Sequence, residues 1–203
     1  MSSHLDRLVS RVPALAGSLP EISATYAILR EVVQRGGRIF LAGNGGSAAD
    51  ADHWSGELLK GFARPRPVAS DPRLAALPAI AARLQGAVAA IPLGSFPAFT
   101  SAFGNDADAS LSYAQLLYAL GRPGDVFVGL STSGNAANIC AAAQVARALQ
   151  LHIVGLTGRT GGRLAPLCEQ CICVPADETY LIQEMHLPIY HCLSLMLEDE
   201  FFG

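Results

Sequence analysis

Arg38 to Ser47, RIFLAGNGGS, is the stretch whose reading decides the fold: a short apolar run passes straight into Gly-Asn-Gly-Gly-Ser. Four more runs of this kind follow, Ala87 to Leu93 (AVAAIPL), Asp125 to Leu130 (DVFVGL), His152 to Leu156 (HIVGL) and Gln170 to Val174 (QCICV). Their hydrophobicity is continuous rather than alternating, the pattern of strands covered on both faces. Longer helical stretches separate them, Ser47 to Leu59, Ala107 to Leu120 and Ala136 to Leu149, with helical segments at Ser18 to Arg35 and from Glu178 to about Glu200. Regular alternation of strand and helix predicts an α/β fold with a parallel sheet between two helical layers. Pro65 to Gln85, rich in Ala and Pro, reads as an inserted helical excursion between the first two strands.

Composition narrows the function classes. The 203 residues are 51% hydrophobic and 15% charged, enough apolar mass for a core and too little polarity for disorder. A net charge of −3 without a run of basic residues excludes the footprint of a nucleic-acid binder. Leu74 to Leu93 is nearly uncharged, but Arg83, Gln85, Pro78 and Pro92 interrupt it, so no membrane span is expected. The start lacks the apolar core and cleavage site of a secretory signal, and five cysteines cannot all pair, which points to the reducing cytoplasm. Cys168, Cys171 and Cys173 alternate with Ile172 and Val174 and are expected to pack as thiols in a buried strand. Mean hydropathy of +0.33 with twelve prolines and twenty glycines suggests a surface shared with sister subunits.

In an open parallel sheet, ligands bind beyond the carboxyl ends of the strands, which directs attention to two turns. Asn44, Gly45, Gly46 and Ser47 follow the first strand, and Ser131, Thr132, Ser133, Gly134 and Asn135 follow the third. Glycines admit positive φ and close approach, while hydroxyls and helix-start amides can cradle a phosphate without a lysine. The plainer alternative is that Ser and Asn only cap the following helices. Neither turn has the GxGxxG spacing, and no GxxxxGK[ST] occurs, so no nucleotide cofactor is expected.

The helix after GNGGS carries His53 and Glu57, four apart and on one face, so that both can reach one metal or one substrate. Gln183, Glu184, His186 and His191 interrupt the apolar C-terminal segment, where a polar group needs a partner. Spacing alone does not choose between His186 and His191, and Pro188 between them is expected to bend the segment.

Taken in order, GNGGS with His53 and Glu57, GND at Gly104 to Asp106, STSGN at Ser131 to Asn135, LTG at Leu156 to Gly158 and IQEMH at Ile182 to His186 resemble the sugar isomerase (SIS) family, and within it the branch acting on heptose phosphates. The resemblance runs from about Ile22 to Met196. It implies a single SIS domain over residues 1–203, a flavodoxin-like sandwich with a five-stranded parallel sheet, an N-terminal helical segment over about 1–35 and an insertion at 66–86. It implies a homotetramer with active sites at subunit interfaces, and aldose–ketose interconversion of sedoheptulose 7-phosphate and a manno-heptose 7-phosphate. Position by position, phosphate contacts fall on Ser131, Thr132 and Ser133, and sugar contacts on Asn44, Gly45, Gly46, Asn105, Asp106 and Gln183, with Ser47 and Asn135 completing the two turns. Zinc ligands fall on His53, Glu57, Gln183 and His191, with Glu57 as base and His191 as acid, so His186 is left as a structural histidine. Val68 to Gly86 has no counterpart in the compact relatives, Ala136 replaces a further serine, and Tyr180 and Leu181 replace a small residue and an arginine. The rival expectations are a noncatalytic SIS tetramer that binds a partner protein or senses a sugar phosphate, and an isomerase of another phosphosugar.

Overall fold

The computed structural model describes residues 2–203. Five strands form one all-parallel sheet: β1 (Ile39–Ala42), β2 (Ala90–Pro92), β3 (Val126–Ser131), β4 (His152–Thr157) and β5 (Gln170–Cys173). Their spatial order is β2-β1-β3-β4-β5, so the direction of winding reverses between β1 and β3. The crevice beyond the carboxyl ends of those two strands is the place where such a sheet offers a ligand site. The turns leaving β1 and β3 are the two singled out by sequence.

Each central strand divides its side chains between two cores, which is why its sequence reads as a continuous apolar run. Ile39 and Leu41 of β1, Val126, Val128 and Leu130 of β3, and Val154 and Leu156 of β4 face one side. There they meet Ile22, Tyr26 and Leu29 of α2 (Leu19–Gln34), Trp54 and Leu58 of α3 (Gly46–Leu59) and the C-terminal helix, with α1 (Ser2–Arg11) laid outside them. Phe40, Phe127 and Ile153 face the other side, against Leu116 and Leu117 of α6 (Ser112–Leu120) and Ile139, Ala142 and Ala143 of α7 (Ala137–Ala148). Phe40 and Phe127 are fully buried and contribute on the order of 2 to 3 kcal/mol each by area.

Three segments differ from the sequence reading. The helix expected over Ala107 to Leu120 begins only at Ser112, because the chain breaks at Ala107 and the Asp108 side chain accepts the Ser110 amide at 2.8 Å to start a short 3-10 turn. The GND triplet ends a separate helix, α5 (Pro97–Asp106). The 66–86 excursion is mostly irregular: one 3-10 turn (Pro72–Leu74) and one four-residue helix, α4 (Pro78–Ala81), each opened by a proline. It is closed at its base by a bridge between Pro67 and Gln85 and by the Gly86 amide donating to the Arg66 carbonyl at 2.7 Å. Of the three cysteines near β5, Cys168 packs against the second core as expected, while Cys171 and Cys173 are half-buried on the edge strand and Ile172 and Val174 enter the first core. The C-terminal helix, α8 (Thr179–Phe202), runs on through Pro188. Among the described residues, no helix is long and apolar enough to cross a membrane.

Candidate active site

The two turns stand side by side and are tied together. In the β1 turn, Gly45 adopts φ +56°, a left-handed conformation suited to glycine, and a Cβ on Gly43 would collide with the Ser47 backbone. Tyr113 of α6 donates to the Gly43 carbonyl at 2.7 Å and holds the turn from below. In the β3 turn, Gly134 (φ +65°) lies directly on the Gly161–Gly162 backbone, and its carbonyl accepts the Leu164 amide at 2.9 Å. Asn135 receives the Arg163 amide at 3.1 Å and its guanidinium at 2.7 Å. Asn44 and Asn138 exchange two amide hydrogen bonds, at 2.9 and 2.8 Å, across the gap between the turns.

The capping alternative fails. The residues preceding α3 and α7 are Gly45 and Ala136, neither of which caps its helix, and the one side chain that accepts an amide in the first turn of α7 is Asn138, from Ile139 at 3.0 Å. Ser133 Oγ instead accepts the Asn135 amide at 3.1 Å, and Asn135 Nδ2 returns to the Ser133 carbonyl at 2.9 Å, a closed polar turn rather than a helix cap. Ser133 and Asn135 are exposed, Thr132 is partly so, and Ser131 is buried at the strand end. The β1 turn is less open as an anion cradle than its composition suggests, since the Ser47, Ala48 and Ala49 amides already donate to Asn44 and Gly45 carbonyls.

One helix of the seam starts at the β1 turn. α3 and α8 pack along each other, and the seam brings Glu57 and His191 to His53, while Gln183 lies at the start of α3. His53 Nε2 is 3.2 Å from Glu57 Oε1, while its ring stands edge-on to His191 with centroids 5.2 Å apart. His53 Nδ1 meets the Tyr190 hydroxyl at 3.0 Å, and that hydroxyl also donates to Asp50 Oδ1 at 3.2 Å. Trp54 stacks on Tyr190 at 5.5 Å and Phe62 tilts over His191 at 5.3 Å, so the imidazoles are walled by aromatic rings. Burial, the neighbouring His53 and Arg11 push His191 below the usual histidine range, against the pull of Glu57. Burial pushes the Tyr190 hydroxyl up, helped by Asp50, so it remains a donor. Two buried polar atoms of the seam, Glu57 Oε2 and His191 Nε2, have no hydrogen-bond partner, the former having only the Lys60 ammonium as an ion-pair neighbour at 3.5 Å.

His186 separates from this group. It is fully buried, its Nε2 lies 3.3 Å from the Thr157 carbonyl, and burial pushes its pKa down to about 4. Gln183 sits two turns before His191, with its amide against Gly46 and donating to Ser47 Oγ at 3.3 Å. Asn105 and Asp106 bond each other at 2.8 Å on the exposed end of α5, and no hydrogen bond joins them to the turns or the seam. Asp50, Tyr190, Asn138 and Arg163 escaped the sequence reading: Asp50 lies one turn before His53 on the same face of α3, Tyr190 immediately precedes His191 in α8, and Asn138 and Arg163 lie just beyond the STSGN and LTG motifs.

The SIS domain family profile matches residues 6–158. The chain belongs to the SIS domain family. Within that family it is similar to the phosphoheptose isomerase of Aneurinibacillus thermoaerophilus, 41% identical over 184 residues that cover 91% of this chain and 82% of that one. The phosphoheptose isomerase of Akkermansia muciniphila is 36% identical, with 94% and 90% covered. The solved phosphoheptose isomerase of Neisseria gonorrhoeae superposes with a TM-score of 0.78 at 28% identity, over 98% of this chain and 96% of that one. The Vibrio vulnificus NanR protein, complexed with ManNAc-6P, shares the fold at a TM-score of 0.53 and 14% identity. Membership therefore fixes the architecture, and the α3–α8 seam has to carry the argument for catalysis.

Proposed function

We propose that this SIS protein is an aldose–ketose isomerase that interconverts sedoheptulose 7-phosphate and D-glycero-D-manno-heptose 7-phosphate through an enediol. The observation that carries the reading is the seam: the Glu57 carboxylate and the His191 imidazole both border His53, and each keeps a buried polar atom without a hydrogen-bond partner. The similarity to phosphoheptose isomerases over more than nine-tenths of the chain supports the substrate.

Isomerisation needs a base to move a proton between adjacent carbons and an acid at the carbonyl oxygen. Glu57, partly screened from water, takes the proton from one carbon and returns it to its neighbour. His191, walled by Phe62 and Tyr190, protonates the carbonyl oxygen to give the enediol and then takes the proton of the other enediol hydroxyl as the new carbonyl forms. The hydroxyls of Thr132 and Ser133 and the turn closed by Asn135 receive the phosphate at the far end of the sugar. Binding energy spent there orients the reacting carbons over the seam.

The donors fit zinc in kind. His53, Glu57 and His191 offer two imidazoles and a carboxylate, a set that zinc takes readily, and two of their polar atoms are orphaned. Among the described residues, no three His, Cys, Asp or Glu side chains converge as a preset metal-ligating group, and Gln183 is engaged by Ser47. Zinc held there would polarise the substrate's carbonyl and hydroxyl oxygens. The reading extends to a homotetramer in the cytoplasm with active sites shared between subunits. That Asn105 and Asp106 hydrogen-bond only each other, and not the turns or the seam, supports a site that a second copy completes.

Proton NMR of the zinc-supplied protein with sedoheptulose 7-phosphate in deuterated water tests the reaction. An aldose anomeric signal, or deuterium entering the ketose beside its carbonyl, is expected. Silence from well-folded protein would remove the heptose assignment and favour another phosphosugar or a binding role. Elemental analysis for zinc and light scattering for the tetramer test the remaining parts.

A further inference from the structure

We propose that Arg66, with Glu198, is a positioning residue for the acid–base pair: one buried ion pair ties the last turn of the Glu57 helix to the loop that walls His191. The inference rests on the reading of Glu57 and His191 as the reacting groups. Arg66 comes from the start of the excursion and Glu198 from α8, about two turns beyond His191, yet both side chains are only 1% exposed. Such a pair is costly to desolvate and is retained only where its hydrogen bonds are well filled.

Every arm of this pair is used. Arg66 Nε donates to Glu198 Oε1 at 2.8 Å, Nη1 to the Leu58 carbonyl at 2.9 Å and Nη2 to the Glu57 carbonyl at 3.2 Å. Carbonyls in the last turn of a helix lack partners within the helix, and a cation there complements the dipole, so the guanidinium closes the end of α3 at the residue that carries the carboxylate. Its plane lies 4.5 Å from the Phe202 ring. Glu198 spends its remaining capacity on the returning chain: Oε1 also accepts the Phe62 amide and Oε2 the Ala63 amide, each at 2.8 Å. Burial raises the Glu198 carboxyl, but the two amides and Arg66 outweigh it and hold the group ionised below its ordinary range. Phe62, fixed by its amide, is the ring 5.3 Å from His191. The Gly61 amide, donating to Gln85 Oε1 at 2.6 Å, pins the same loop to the far end of the excursion.

The consequence is mechanical. The position of Glu57 relative to His191 depends on a fork that reaches three acceptors at once, and a lysine ammonium is a point charge that cannot span them. A misplacement of about 1 Å at a reacting group costs on the order of a hundredfold in rate. Phosphate binding on the β3 turn is remote from this pair and should be spared.

The test compares the full-length protein with Arg66→Lys, Arg66→Ala, Glu198→Gln and, as a stability control, Leu117→Ala in the opposite core. Arg66→Lys should lower kcat about tenfold to a hundredfold with KM within about twofold, and methylguanidinium should restore part of the kcat lost in Arg66→Ala while urea does not. Amide exchange at Phe62 and Ala63 should accelerate at least about tenfold in Glu198→Gln. Wild-type kcat in Arg66→Lys would overturn the proposal. So would a kcat loss no larger than that of Leu117→Ala at a comparable fall in Tm, or unchanged exchange at both amides. If the wild-type protein fails to turn over the heptose phosphate, the functional reading falls, and the exchange comparison still decides the tether.

Discussion

The β3 turn and the α3–α8 seam are built by opposite means. The turn is a backbone structure: Gly134 rests on Gly161 and Gly162, and its polar side chains close on their own neighbours or on Arg163. The seam is a side-chain structure, in which His53 and Tyr190, 137 positions apart in sequence, share a hydrogen bond and His191 and Glu57 keep unfilled polar atoms. A site made from main chain is rigid and leaves its signature in consecutive residues. A site made across two helices holds chemistry that no consecutive stretch displays.

That contrast predicts different failures. Glu57→Gln should abolish the seam's chemistry with a fall in kcat of about a thousandfold and little change in KM, read by NMR turnover. Full activity in that variant would remove Glu57 as the base. The largest equilibrium effect is expected from pH. His186 is neutral in the fold with a pKa of about 4, and the unfolded chain takes up its proton below about pH 6.5. Its contribution to stability is therefore complete above about 6.5 and is lost as pH falls toward 4, up to about 3 kcal/mol. Urea midpoints measured across that window should slope downward toward acid, and the slope should flatten in His186→Leu.

Gly134→Ala should break the turn rather than the seam. A Cβ there would overlap the Gly161 carbonyl and be strained at φ +65°, so a loss of about 2 to 3 kcal/mol is expected in thermal unfolding. KM should rise more than kcat falls; an unchanged KM would detach the turn from phosphate binding. Tyr190→Phe is the smallest change. It removes the hydroxyl shared by His53 and Asp50 while keeping the stack on Trp54, and should cost about 1 kcal/mol of stability.

Much of this was legible beforehand. The five apolar runs became five parallel strands, since burial on both faces writes itself into consecutive residues. The AVAAIPL run shrank to Ala90–Pro92, because the Val88 amide donates to the Leu58 carbonyl at 2.9 Å rather than to a neighbouring strand and Leu93 opens a 3-10 turn. The helix expected from Ala107 was misplaced: an aspartate accepting an amide two residues on starts a new turn whatever the apolar spacing says. His53 and Glu57 were legible as an i, i+4 pair. Tyr190 was not, because a buried tyrosine in an apolar helix looks like core until its hydroxyl is seen against His53.

Sequence by itself determined the α/β class, the two turns and the candidate donors, because each depends on local periodicity or on glycines that local backbone geometry demands. Local spacing left His186 and His191 equal and the family resemblance pointed to His191, whose ring the tertiary structure sets beside His53. Only the tertiary structure decided that Arg66 and Glu198 close the end of the Glu57 helix. The reason is physical: which face of α8 meets α3 is set by how two helices pack on one sheet, and a buried ion pair joining residues 132 positions apart has no local periodicity to betray it.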